Sequence, residues 1–247
     1  MYNTAYKYFS GLLVYKDSEA NLHTRLLFAL LFPVFTILAL GIDSVAFQAK
    51  YFDGRQFTNI ASIGYFLLFA YFSGTHLRRL MFVMVALSYI GELIFCKLLG
   101  MYAYKSSAIP LYVPFGHAIV YASGYVMAHT PFAKEKDAVF RKVFALGFGL
   151  LFVLAALFLN DIFTLLSGLL FFILLKRKRW QNMYYFIALC VIFIELAGTY
   201  FKCWVWEPKI FGLIPAANPP VGAVFFYAGG DVLLAKIVNV WEKRNGK

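Results

Sequence analysis

The sequence predicts an all-α protein: a polytopic integral membrane bundle of about eight transmembrane helices, arranged as two tandem four-helix repeats of parallel sense. Three observations carry that expectation. Apolar runs long enough to span hydrocarbon recur along the chain. Basic residues alternate between heavily and sparsely charged connections. One constellation of residues occurs twice, about a hundred positions apart.

The spans are expected at 26–48, 57–75, 80–100, 109–131, 140–159, 161–176, 182–203 and 213–240. With 62% hydrophobic residues, only 14% charged and a mean hydropathy of +0.72, an ordinary soluble domain is excluded. The fifth and sixth spans meet at a tight Asn160-Asp161 turn, and fusing them into one is the rival reading. Charge argues against the fusion. Of the 23 Lys and Arg, seventeen fall on the even-side segments and six on the odd-side loops when eight spans are counted. The positive-inside rule then places both termini in the cytoplasm, in what reads as a bacterial cytoplasmic membrane.

The same distribution assigns the net charge of +11 to topology rather than to a nucleic-acid partner. The run Lys176-Arg177-Lys178-Arg179 reads as a topology anchor. Tyr2, Tyr6, Tyr8, Phe9 and Tyr15 suit an interfacial N-terminal segment, and no cleavable leader is evident. Cys96, Cys190 and Cys203 lack metal spacing and read as isolated apolar cysteines, a Cys96–Cys203 disulfide being the alternative.

The polar stretch 133–138 divides the chain into units 1–134 and 135–247, together one membrane domain. Four spans per half insert both halves in the same sense, with the pseudo-twofold axis along the membrane normal. The first motif runs Glu92, Tyr102, Tyr104, Ile109-Pro110, Pro114 and Tyr121-Ala122-Ser123-Gly124. The second runs Glu195, Trp204, Trp206, Ile214-Pro215, Pro219 and Tyr227-Ala228-Gly229-Gly230. Each begins on the third span of its half, crosses an extracytoplasmic loop and returns down the fourth. The prolines either start or break those fourth spans.

Asp43, Glu92, Glu195 and Asp231 fall inside expected spans, where an ionisable group needs a reason. Glu92 lies about 12 Å below the outer end of its helix at 1.5 Å per residue, and Glu195 is comparably placed. A carboxyl group in an apolar pocket can act as a proton donor; interhelical hydrogen bonding is the plainer role. His117 falls level with Glu92 and is a candidate partner for it. Tyr102, Tyr104, Trp204 and Trp206 fit an aromatic belt, but alternation within each loop can also aim both rings at one cavity. Aromatic faces there would shelter a passing cation. With no HxxxH or HxxHH cluster, no nucleophile elbow and no phosphate loop, neither a metal nor another cofactor is expected.

The stretch from Trp204 through Trp206, Gly212, Pro215 and Asn218 to Gly222 resembles the W-x-W…G-(V/I)-P-x-x-N…G signature of polytopic membrane carotenoid hydratases. Glu92, Gly100, Tyr102, Tyr104, Pro110 and Pro114 resemble that family's E…G-x-Y-x-Y…P-L-x-V-P segment. Ala223 stands where the family places tryptophan, Pro219-Pro220 replaces an aromatic-containing stretch, and Leu99 replaces phenylalanine. A competing resemblance is to lysoplasmalogenase-like eight-span proteins, through Gly222–Ala235 and through Gly91-Glu92 with His117 and Tyr121. Both resemblances imply addition of water to a membrane lipid. In the hydratase form, Glu92 or Glu195 is the acid, the four aromatics shelter the cation, and Asn218, His117 or Asp231 orients water. The implied partner is a membrane lipid or isoprenoid substrate; the oligomeric state stays open. A transporter or channel with a midplane carboxylate site, an ether-lipid hydrolase and a non-catalytic membrane subunit remain the alternatives.

Overall fold

A computed structural model describes residues 20–178 and 180–244. The expected interfacial tyrosines before residue 20 and Arg179 lie outside the described residues. Helices dominate. In chain order they are α1 (Ala20–Ile42), α2 (Val45–Lys50), α3 (Arg55–Phe72), α4 (Thr75–Glu92), α5 (Tyr112–Ala128), α6 (Pro131–Glu135), α7 (Asp137–Leu159), α8 (Ile162–Lys176), α9 (Gln181–Tyr200) and α10 (Val224–Arg244). Five of these segments are long and apolar enough to cross a membrane: α1, α4 with its continuation to Leu98, α7, α9, and α10 with the short 3₁₀ turn before it. The protein is therefore a multi-pass membrane bundle. α3, α5 and the 15-residue α8 fall short of that measure of length and apolarity.

Why α5 is the weakest amphipath follows from its place. It packs against α1, α3, α4 and α9 at once, and Ala118–Gly124 is buried without interruption. A helix enclosed on every side needs no polar stripe. Small residues bring its neighbours close: a Cβ on Gly124 would lie 2.5 Å from the Ile187 backbone on α9. The reverse pattern holds on α7, where Leu146, Leu157 and Phe158 are exposed as lipid contacts.

The Asn160-Asp161 turn separates α7 from α8. Asn160 takes a left-handed φ of 52°, and the Asp161 carboxylate accepts from Thr164 N at 2.8 Å and Thr164 Oγ1 at 2.5 Å, capping α8. Pro110 precedes α5 and Pro114 lies in its first turn, so the first motif's prolines start a helix rather than break one. In the second motif the approach is irregular: Pro215 lies in a short strand and Pro219-Pro220 leads into the 3₁₀ turn. All three cysteines are buried and unpaired.

At one end of the bundle two loops meet. Strand β1 (Tyr102–Tyr104) pairs antiparallel with β2 (Trp204–Trp206), setting Tyr102 opposite Trp206 and Tyr104 opposite Trp204. A second ribbon joins β3 (Lys209–Ile210) to β4 (Ile214–Pro215). The basic connections Arg78-Arg79, Lys134–Lys136 and Lys176–Lys178 lie at the opposite end of their helices.

Candidate functional site

Glu92 is the last α-helical residue of α4, and the chain then widens into a π-helical segment, Leu93–Leu98. The Leu99 amide reaches back five residues to the Ile94 carbonyl. Gly100, at φ 58°, turns the chain so that β1 passes back over Glu92. Alternation along a strand puts Tyr102 and Tyr104 on one face. Their hydroxyls donate to Glu92 Oε2 at 2.9 and 2.7 Å, while His117 Nε2 lies 3.0 Å from Oε1. Burial, reinforced by the Glu92 charge, pushes both phenols well above the ordinary tyrosine range, so they remain donors.

The second half builds the same arrangement from different residues. After α9, Lys202 takes a positive φ of 56° and the Cys203 amide reaches back to Gly198 O. β2 then lays Trp204 and Trp206 over Glu195, and both indole N–H groups donate to Oε2, at 2.9 and 3.0 Å. Gly198 makes room: a Cβ there would sit 2.0 Å from the Trp204 ring. Across the ribbon, ring centroids are 4.6 Å apart for Tyr102–Trp206 and 6.1 Å for Tyr104–Trp204.

Beneath this ribbon lies a cavity of about 190 Å³. Both glutamates, all four ribbon aromatics, His117 and Tyr227 line it, and Phe32, Phe35, Leu87 and Ile119 extend it toward the bundle interior. No lysine or arginine among the described residues forms part of its wall. His117 stacks on Tyr227 at 5.1 Å. Six of the residues singled out from the sequence thus converge with His117 on one chamber.

Two others do not. Asn218 lies outside the cavity wall, and its Oδ1 accepts from the Trp206 amide at 3.0 Å. That bond holds β2 in place. Asp231 sits one helical turn beyond Tyr227 in a separate buried network. It accepts from Tyr121 at 2.8 Å, from Lys178 Nζ at 2.9 Å, and from Tyr184. Lys178 is therefore drawn inward as an ion-pair partner, a contact that the reading of the run as a topology anchor did not include. Asp43 is also paired: Lys105 Nζ lies 2.7 Å from Oδ1 and the Tyr112 hydroxyl donates to Oδ2 at 2.8 Å. The Lys105 contact ties the loop after β1 to the end of α1.

Sequence reasoning did not find Lys105, Lys178 or Tyr184. Lys105 follows the Tyr-x-Tyr pair directly and Lys178 belongs to a basic run, yet neither spacing says that a side chain turns inward. Tyr227 was visible as a motif landmark but had no stated role. Among the described residues no three His, Cys, Asp or Glu side chains converge as metal ligands. Comparison with family models, with curated proteins and with solved structures finds no match to this chain.

Proposed function

We propose that the protein is an integral membrane enzyme that adds water across a double bond of a lipophilic, isoprenoid-like substrate. One observation carries this reading: two carboxyl groups share a single apolar chamber, each beneath its own pair of aromatic side chains, with no lysine or arginine among the described residues in the wall. A permanent anion or a phosphate ester would find no counter-charge there. A neutral hydrocarbon chain would find an apolar wall and two acids.

Glu195 is the proton donor in this proposal. Both indole N–H groups occupy Oε2, leaving Oε1 to carry the proton. The π pair of the alkene takes that proton to form a C–H bond, and the cation left on the more substituted carbon lies against the ribbon aromatics. The oxygen of water then bonds to this carbon. Its surplus proton passes to Glu92, directly or through His117, 3.0 Å from Glu92 Oε1. Transfer of that proton from Glu92 back to Glu195 through water in the chamber resets the pair, and the addition is redox-neutral throughout.

The finer topology belongs to the same proposal. Eight helices cross the membrane as two parallel four-helix repeats, both termini are cytoplasmic, and the ribbon lies on the outer side. The alternation of basic residues and the matching Glu–aromatic pairs support it.

Purified protein in lipid nanodiscs, incubated in ¹⁸O-labelled water, should convert an acyclic polyene to a product heavier by one labelled water, or a vinyl-ether lipid to the aldehyde and alcohol into which its hydrated form collapses. Glu195→Gln should slow it by about a hundredfold or more, the weight of one general acid. Absence of a hydrated product from every polyene and vinyl ether would sink the proposal.

A further inference from the structure

Hydroxyl groups buried in the helices of this protein mostly satisfy themselves. Ser73, Ser88, Ser167 and Thr199 donate to carbonyls three or four residues back on their own chain. Thr58 on α3 donates across to Ala39 O on α1 at 2.8 Å. Thr36 on α1 and Ser62 on α3 do neither. Each is only 4% exposed, each lines the cavity, and neither hydroxyl has a hydrogen-bond partner among the described residues. Ser123 also lacks a partner, but its Oγ is sealed inside the bundle away from the cavity wall.

The two hydroxyls belong together. The Thr58–Ala39 bond sets the antiparallel register of α3 against α1, and stacking of Phe35 on Tyr65 at 4.3 Å continues it. One turn from that bond in the same direction, α1 presents Thr36 and α3 presents Ser62, across the same seam. Both hydroxyls open onto the chamber with no protein group to bond among the described residues, so a ligand that brings its own oxygen there gains hydrogen bonds that a hydrocarbon cannot make. A charged oxygen is disfavoured, because no lysine or arginine among the described residues lines the wall.

We propose that Thr36 and Ser62 form a subsite for one uncharged oxygen function of the ligand (a hydroxyl, ether or carbonyl), apart from the double bond that the glutamates address. The inference rests on reading the cavity as a lipid-substrate site, and it narrows that substrate to an oxygenated isoprenoid rather than a pure hydrocarbon.

Equilibrium binding tests this without requiring turnover. Trp204 and Trp206 line the cavity, so their fluorescence reports occupancy in nanodiscs. The probes are geraniol, geranial and the parent diene of the same skeleton. The wild-type protein should bind the alcohol and the aldehyde about tenfold more tightly than the diene, the effect of one well-placed hydrogen bond. The Thr36→Val/Ser62→Ala double variant should bring the three within about twofold of one another, and an unfolding temperature no lower than wild type would show that the bundle is kept, since removing an unpaired buried hydroxyl is not destabilising in itself. Comparing ratios between the two proteins cancels partitioning into lipid. Equal wild-type affinities, or a preference that survives in the double variant, overturns the subsite. Failure of the hydration proposal is seen separately: no hydrated product from any probe while the binding preference persists.

Discussion

Gly198 shows how a single residue protects the acid. The Trp204 ring occupies the space that a side chain at 198 would fill, and that ring delivers one of the two N–H groups on Glu195. Gly198→Ala should push the indole aside and cost about 1–3 kcal/mol, the usual scale for overpacking. A lowered unfolding temperature together with a red-shifted tryptophan emission would report it. Much of the chemistry at this scale was legible in the sequence, because both glutamates and their aromatics belong to a repeated spacing. Asp231 was equally visible as a buried acid, yet its destination was not. Lys178 reaches it from the connection after α8, and a flexible four-carbon side chain leaves no periodic trace. Asn218 resembled a water ligand in sequence and proves to hold a strand through the Trp206 amide. Polar residues in loops commonly bond backbone, and spacing alone does not separate the two uses.

At the scale of elements, the π-helical segment after Glu92 sets the aim of β1. A π turn inserts one residue relative to an α turn, and such insertions gather at functional sites. Deleting Leu98, which is 77% exposed, should restore α pitch, rotate the following loop by about 100° at 3.6 residues per turn, and carry Tyr102 and Tyr104 off Glu92. The expected outcome is a folded bundle by circular dichroism that has lost ligand-dependent quenching; retained quenching would show that the aim of β1 does not depend on the π turn. The helices themselves were readable from apolar run length, and most observed and expected bounds differ at the caps, but the span expected from 213 begins only at Val224, because strand β4 and the Pro219-Pro220 approach occupy the apolar stretch before it. α1 begins and ends about six residues early, because Ser44 caps a separate helix, α2. The π segment was hidden, since Leu93–Leu98 is as apolar as any continuing α-helix. The ribbon was hidden too: three-residue strands lack the length for alternation to stand out.

For the molecule as a whole, the register between β1 and β2 matters most, because its strands are joined by about a hundred residues of intervening chain. Among the described residues each strand finds its partner only in the other. During synthesis the segment up to residue 134 therefore leaves the ribosome with Tyr102 and Tyr104 on an unpaired edge, and it stays so until Trp206 arrives. The roof of the chamber becomes a timing device. A chain that stops before Trp204 has Glu92 and β1 but lacks the strand that covers the chamber with them. Fragments 1–134 and 135–247 expressed separately should each fail to bind the geraniol probe, and co-expression should restore binding to within about tenfold of the intact chain, the loss set by forfeited effective concentration. The ribbon is thus less a lid than a joint, closed only when both halves are present.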